Sequence, residues 1–133
     1  MTLLDASAII VFLQGEPGAA VVRQALQTGR CVVGAAKLAE VIAKSIDRGI
    51  AQERIKAILA ELSFTEIDVK AEGGAQAGWM RGQTRPFGLS LGDRLCLATA
   101  QRLKAKVLTA DRPWLNVAKQ MGLDIQCIRP DAL

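Results

Sequence analysis

The chain has 133 residues, of which 50% are hydrophobic and 23% charged, enough for one domain with an apolar core and too apolar for intrinsic disorder. Its formal charge of +4 favours an anionic partner such as nucleic acid. Histidine is absent, which excludes imidazole acid–base catalysis, His-ligated zinc and Ser–His or Cys–His nucleophile pairs.

Short apolar runs alternate with longer helical patterns, which is typical of repeated βα units around a parallel sheet. In chain order the pattern predicts a strand at 2–4, helices at 6–14 and 19–28, a strand at 30–33, helices at 35–48 and 51–62, a strand at 64–69, a helix at 70–79, an exposed loop at 80–89, a helix at 90–103, a strand at 106–109, a helix at 112–121 and a strand at 124–128. We therefore expect a single three-layer α/β/α domain over residues 1–133, with a short, mostly parallel sheet of about five strands.

Cysteine usage and the first residues bear on location. Cys31, Cys96 and Cys127 lie far apart in apolar stretches and form no CxxC pair, which predicts reduced core thiols rather than disulfides or a zinc site. The opening MTLLDASAII lacks a basic segment and a cleavage site, so we expect no signal peptide. No apolar run is long enough to span a bilayer, and we expect a cytoplasmic protein without membrane contact.

Four acidic residues stand where a parallel sheet would bring them together. Asp5 and Asp111 follow two buried strands, and ligands of open α/β sheets bind outside the carboxyl ends of the strands. Asp93 opens the helix after the basic loop, and Glu40 lies within about two turns of the start of its helix. The placement predicts one acidic cluster.

Clustered carboxylates repel one another unless a cation lies between them. Mg²⁺ and Mn²⁺ prefer oxygen ligands, and such ions activate water and neutralise a phosphodiester without any histidine. We therefore predict a divalent-metal site.

Each acid also has a structural interpretation. Asp5 and Asp111 are placed to cap the helices that follow them, and Asp93 stands three residues after Ser90, the spacing of a capping box. On a helical wheel Glu40 falls opposite the apolar stripe, beside Lys37 and Lys44, which predicts a solvated Glu40–Lys44 pair.

Four blocks, LLDASAII, AAKLAEVIAK, LSLGDRLCLATA and VLTADRPW, resemble the PIN domain in their order, and most of all the VapC-type toxins of bacterial toxin–antitoxin pairs. The resemblance covers essentially the whole chain. It implies a Mg²⁺- or Mn²⁺-dependent endoribonuclease that forms a homodimer and is inhibited by a VapB-like antitoxin. The family's acidic quartet falls on Asp5, Glu40, Asp93 and Asp111.

The resemblance also assigns supporting residues. The family's two small hydroxyl residues fall on Ser7 and Thr109, which we expect to hold a carboxylate or metal-bound water. One departure lies before Glu40, where the family often has Ser or Thr and this chain has Ala36 and Lys37. We expect Asp5, Asp93 and Asp111 to coordinate metal, and Glu40 to bind a second ion or position the water.

The loop at 80–89 is the candidate for RNA contact. Arg81 and Arg85 lie in it, and we expect them to contact phosphate together with Arg94 and Arg112, although a merely solvated loop has the same composition. Of the two tryptophans, Trp114 is expected in the core.

Two other functions fit parts of the sequence. A haloacid-dehalogenase-like phosphatase also has an Asp after its first strand, but its second Asp would fall on Ser7. A non-enzymatic RNA- or protein-binding domain would use the acids only as helix caps.

Overall fold

A parallel five-stranded sheet lies at the centre of the computed structural model, which describes residues 1–130. The strands are β1 (Thr2–Leu4), β2 (Cys31–Gly34), β3 (Phe64–Ile67), β4 (Lys106–Thr109) and β5 (Ile125–Cys127), in the order β3-β2-β1-β4-β5. Every strand pair is parallel, and Leu3 of β1 is in register with Val32 and Val107 on either side. The predicted sheet is confirmed, and it is parallel throughout.

Eight helices connect and cover the strands of the described chain. They are α1 (Ala6–Gln14), α2 (Ala19–Gln27), α3 (Ala35–Asp47), α4 (Gln52–Glu61), α5 (Ala71–Trp79), α6 (Arg81–Thr84), α7 (Leu91–Leu103) and α8 (Trp114–Met121). Gly15 ends α1 in the left-handed conformation, at φ 64°, which glycine adopts without strain. Within residues 1–130, no helix has both the length and the apolar character needed to cross a membrane.

Successive residues of each strand face opposite sides of the sheet, and this divides the core into two layers. Leu4 and Leu108 pack with α1, α2 and α3, while Leu3 and Val107 pack with α7 and α8. Helix α5 packs against α7 on the outside of the second layer. The predicted three-layer α/β/α architecture is therefore confirmed.

The segment 80–89 differs from the predicted exposed loop. It contains α6 and a short 3-10 turn at Arg85–Phe87, and Met80, Thr84 and Leu89 are buried. The Thr84 hydroxyl donates to the Met80 carbonyl at 2.9 Å, which holds the turn closed. Arg81 and Arg85 are exposed, as expected of the predicted loop. The prediction was wrong about the helical turns and about Met80 and Leu89, which join the core beside α7.

The cysteines are free thiols, as predicted. Cys31 and Cys96 are buried, and burial raises the pKa of both thiols. Cys127 is partly exposed on β5. Their place in the packed layers makes Cys31 and Cys96 residues of the core.

Candidate active site

The four predicted acids line one open cleft at the carboxyl edge of the sheet. Asp5 follows β1, and Asp111 lies beyond the end of β4, the neighbouring strand at which the strand order reverses. Helices α3 and α7 bring Glu40 and Asp93 to the same place, and Ser7 lies beside them. The cleft has a volume of about 430 Å³.

Asp5 is almost completely buried, with 3% of its surface exposed, and its carboxylate is fully engaged. Its Oδ1 accepts the backbone N–H of Ala6 at 2.8 Å, so Asp5 caps α1 as predicted. Its Oδ2 accepts the hydroxyls of Ser7 at 2.7 Å and Thr109 at 2.8 Å. Capping α1 and lining the cleft are therefore compatible roles of one side chain.

The hydroxyls of Ser7 and Thr109 also hold the chain after β4. Ser7 Oγ accepts from the backbone N–H of Ala110 at 2.8 Å, and Thr109 Oγ1 accepts from that of Asp111 at 3.0 Å. Each hydroxyl thus accepts from a backbone amide and donates to Asp5. This arrangement fixes Asp5 and Asp111 relative to each other.

Asp93 also combines two roles. Its backbone N–H donates to Ser90 Oγ at 3.1 Å and its Oδ2 accepts from the backbone N–H of Ser90 at 3.0 Å, which forms the predicted capping box at the start of α7. Its Oδ1 is turned into the cleft and accepts from Lys37 at 2.6 Å. The capping box therefore aims one oxygen of Asp93 at the centre of the site.

Lys37 occupies that centre and is only 2% exposed. Its Nζ lies 3.1 Å from Asp5 Oδ1, 3.0 Å from Glu40 Oε1 and 2.6 Å from Asp93 Oδ1. The ring of Trp114 lies on a further side, 5.4 Å from Nζ to the ring centroid. Burial by itself would lower the pKa of Lys37, but the surrounding carboxylates outweigh it and raise the pKa above its ordinary value, so the side chain is an ammonium.

Glu40 does not lie on a solvated face, and the prediction of a Glu40–Lys44 surface pair was wrong. Its side chain is 33% exposed, both of its oxygens accept from Lys37, and it lies against Gly92 at the start of α7. The helical wheel gave the wrong environment because it does not show which elements pack against a face of the helix. The polar face of α3 with Lys37 and Glu40 lies against the cleft, beside Asp5 and Asp93.

Asp111 is the most exposed of the four acids. The N-cap of α8 is Pro113, without a side-chain cap, and Asp111 accepts the backbone N–H of Trp114 with its own backbone carbonyl at 3.1 Å. Partial burial, then the nearby carboxylates of Asp93 and Asp5, raise the pKa of Asp111. The carboxylates repel Asp111 because they share one cleft.

The family model of the PIN domain matches residues 2–120. The chain belongs to the PIN domain family. The predicted resemblance is thereby confirmed, and the four predicted acids lie within the matched residues. No curated protein matches the chain significantly.

Solved structures share the fold of this PIN domain. DNA-bound VapBC from Salmonella typhimurium aligns with a TM-score of 0.71 and 19% identity, covering 94% of this chain and 96% of that one. FitAcB from Neisseria gonorrhoeae aligns with a TM-score of 0.71 and 17% identity over 94% and 96% of the two chains. Mycobacterium tuberculosis VapC20, a sarcin-ricin loop cleaving toxin, aligns with a TM-score of 0.66 and 13% identity over 80% and 87%.

The donor chemistry of the cleft suits a hard divalent ion, because all four acids present oxygen and the described residues that line the cleft include no cysteine or histidine. The arrangement differs from an open metal site in one respect. Asp5, Glu40 and Asp93 converge on the Lys37 ammonium rather than on free space. Accordingly, residues 1–130 contain no group of three acidic or Cys side chains already arranged around a metal position.

The four arginines predicted to contact phosphate have different surroundings. Arg94 is buried, and its Nη1 donates to the Ala77 carbonyl at 3.0 Å, so it joins α7 to α5 and is not available to phosphate. Arg81 and Arg85 are exposed on the segment after α5, outside the cleft lining. Arg112 is exposed at the edge of the site.

Sequence reasoning missed three cations of the cleft, Lys37, Lys44 and Arg129. Arg129 follows β5, so the rule that placed Asp5 and Asp111 at the carboxyl edge could have found it. Arg112 Nη2 donates to the carbonyl of Arg129 at 2.9 Å, which connects the edge of the site to its lining. Lys37 carried a signal as well, since it precedes Glu40 by three residues on α3 and replaces a residue that is often a hydroxyl in the family.

Proposed function

We propose that this PIN domain is a Mg²⁺- or Mn²⁺-dependent endoribonuclease that hydrolyses RNA phosphodiester bonds, and that it acts as the toxin of a type II toxin–antitoxin pair. The observation that carries the proposal is the meeting of Asp5, Glu40, Asp93 and Asp111 in one open cleft of a PIN fold. The same match favours a nuclease over the phosphatase and the purely binding domain.

Charge explains why such a cleft requires a cation to accept RNA. The four carboxylates and the Lys37 ammonium together carry a formal charge of −3. Lys44 and Arg129 at the lining reduce this to −1, and a phosphodiester is itself an anion. A bound divalent ion supplies an activated water and neutralises the phosphate. The chain's own contribution is to hold Asp5 and Asp111 through Ser7 and Thr109, and to place Lys44 and Arg129 at the lining.

The nuclease proposal is tested by RNA cleavage in Mg²⁺ with Asp93→Asn and Asp111→Asn, each expected to lose about 10²-fold or more in rate. Asp124→Asn is the matched control, because Asp124 is an exposed acid outside the cleft. Cleavage at the wild-type rate by both cleft variants would reject the assignment of the acids.

RNA phosphate contact is proposed for Arg81, Arg85 and Arg112, which are exposed, and no longer for the buried Arg94. Replacing Arg81 and Arg85 together by Gln is expected to weaken RNA binding and to lower the salt slope by about two ion equivalents. A double Gln replacement of Arg23 and Arg54 removes the same charge elsewhere. Equal salt slopes in the two double variants would exclude a specific contact.

An antitoxin segment has a suitable surface beside the acidic cleft. A cavity of about 320 Å³ lies between α1, α3 and α4, with mainly apolar lining from Ile10, Leu13, Val41, Ile55, Ile58 and Leu59. Lys44, Arg48 and Arg54 also line it, and Lys44 lines the acidic cleft as well. We propose that an amphipathic antitoxin segment with acidic flanks binds there and extends toward the active site.

Leu13→Glu tests this surface, since Leu13 is 36% exposed and its replacement leaves the core intact. The variant is expected to keep RNA cleavage but to bind the cognate VapB-like antitoxin roughly tenfold more weakly. Val69→Glu, at another exposed apolar position, is the control. Unchanged affinity of Leu13→Glu would place the antitoxin elsewhere.

A homodimer is proposed from the resemblance to VapC-type toxins. Sedimentation equilibrium of the isolated chain measures it directly, and a mass of 14.2 kDa at all concentrations would contradict it.

A further inference from the structure

Lys37 is buried and contacts three carboxylates of the cleft. It stands three residues before Glu40 on α3, so both side chains leave the same face of the helix. Its ammonium then reaches Asp5 at the end of β1 and Asp93 at the start of α7. Three separate elements therefore converge on one nitrogen atom.

The other hydrogen bonds of Asp5 and Asp93 orient one oxygen of each carboxylate toward Lys37 Nζ. Asp93 uses Oδ2 for the capping box, which leaves Oδ1 for Lys37. Asp5 uses Oδ2 for two hydroxyls, which leaves Oδ1 for Lys37 and the N–H of Ala6. Glu40 directs both oxygens to Nζ.

The remaining side of Lys37 Nζ faces the ring of Trp114. This contact distinguishes a site for an ammonium group from a site for a metal ion. The face of an indole ring attracts an organic cation, whereas Mg²⁺ and Mn²⁺ take oxygen ligands. Trp114 is fully buried and cannot withdraw without disturbing the second core layer. The surroundings of Nζ thus suit the lysine better than a divalent ion.

A divalent ion among the oxygens of the same three carboxylates would lie next to the ammonium and be repelled by it. Asp111 is not one of the partners of Lys37, and it is exposed beside Asp5 and Asp93. The cleft also keeps a formal charge of −1, from four carboxylates against Lys37, Lys44 and Arg129. A further cation would therefore bind on the side of the cleft where Asp111 lies.

We propose that Lys37 is a resident cation of the active site, which takes the position that Asp5, Glu40 and Asp93 would give to a divalent ion. The cleft then binds at most one such ion, on the Asp111 side, and binds it more weakly than it would without the lysine. The inference rests on the proposed function only in treating the cleft as a metal site.

The test is a Mn²⁺ titration of the wild type, Lys37→Met and Lys44→Met, followed by calorimetry and by the electron paramagnetic resonance of free Mn²⁺. Lys37→Met keeps the length of the side chain and removes its charge, and it is expected to bind Mn²⁺ roughly tenfold or more tightly than the wild type. Lys44→Met removes an exposed charge from the same helix and cleft, and it is expected to stay within about twofold of the wild type.

Lys37→Met that binds Mn²⁺ no more tightly than the wild type would overturn the proposal. The same increase in Mn²⁺ affinity in Lys44→Met as in Lys37→Met would also overturn it, because it would indicate only a long-range effect of charge. Two Mn²⁺ ions bound per wild-type chain would overturn it as well, and this count requires no variant.

Unfolding provides an independent readout, because Lys37→Met leaves three carboxylates facing one another. Its thermal midpoint is expected to fall in EDTA and to rise with Mn²⁺ by much more than that of the wild type. If Lys37→Met is recovered unfolded, Lys37→Gln is scanned in the same way, and a midpoint that does not respond to Mn²⁺ more than the wild type would contradict the proposal.

The outcomes separate this inference from the nuclease proposal. A wild-type chain that cleaves no RNA, together with tighter Mn²⁺ binding by Lys37→Met, would refute the nuclease and support the resident cation. RNA cleavage that Asp93→Asn abolishes, together with unchanged Mn²⁺ binding by Lys37→Met, would do the reverse.

Discussion

Asp5→Asn is expected to destabilise the fold strongly, although it removes one charge from an acidic cluster. Four donors converge on the Asp5 carboxylate: the N–H of Ala6, the ammonium of Lys37 and the hydroxyls of Ser7 and Thr109. An amide has one oxygen and one NH₂ group, so either orientation of Asn turns its NH₂ toward two of these donors. The hydroxyls cannot reverse without loss, because each already accepts from a backbone N–H.

The magnitude follows from these contacts. Losing two hydrogen bonds to a buried charge costs about 3–6 kcal/mol in gross terms. Relief of the repulsion from Asp93 and Asp111 offsets part of this, and Lys37 keeps Glu40 and Asp93 as partners. A net loss of about 2–3 kcal/mol is expected, which lowers the thermal midpoint by roughly 10 °C for a chain of this size.

Urea and thermal unfolding in EDTA at neutral pH measure the effect without metal. Asp111→Asn is the matched control, since it removes the same charge from an exposed position of the same cleft. Its midpoint is expected to equal or exceed that of the wild type. If Asp5→Asn unfolded at or above the wild-type midpoint, charge relief would dominate the cleft and the count of donors would be refuted.

Three further predictions concern neighbouring residues. Because folding raises the pKa of Asp111, protonation of Asp111 stabilises the folded state. As pH falls from about 7 to about 4, the urea midpoint of the wild type should therefore rise relative to that of Asp111→Asn. A constant difference between the two midpoints would refute the raised pKa. Gly92→Ala places a Cβ against Glu40 Oε1 and should lower the rate of RNA cleavage about tenfold. Gly74→Ala on α5, where space is open, should stabilise the fold by up to about 1 kcal/mol, and Gly92→Ala should show no such gain in urea unfolding. Arg94→Met should cost about 1–2 kcal/mol in urea unfolding, since the bond to Ala77 is lost, and leave RNA affinity unchanged; weaker RNA binding would return Arg94 to the substrate surface.

The layered fold was readable from local patterns. The three central strands β1, β2 and β4 each contain a short apolar run. Adjacent residues such as Leu3 and Leu4 are both apolar because both faces of the sheet are covered. The segment 80–89 was not readable in this way. Its glycines and arginines are typical of a loop, and only the tertiary structure shows that Met80 and Leu89 pack in the core beside α7.

For the site, the sequence by itself determined that Asp5 and Asp111 share an edge, because parallel strands present their carboxyl ends together. It also determined the capping box of Asp93, which is a local spacing. The tertiary structure alone decided the surroundings of α3. A helical wheel shows which residues share a face but not what that face meets, and here it meets Asp5, Asp93 and Trp114. Lys37 and Glu40 therefore lie inside the cleft, because long-range packing encloses a pair that looks solvated in the sequence.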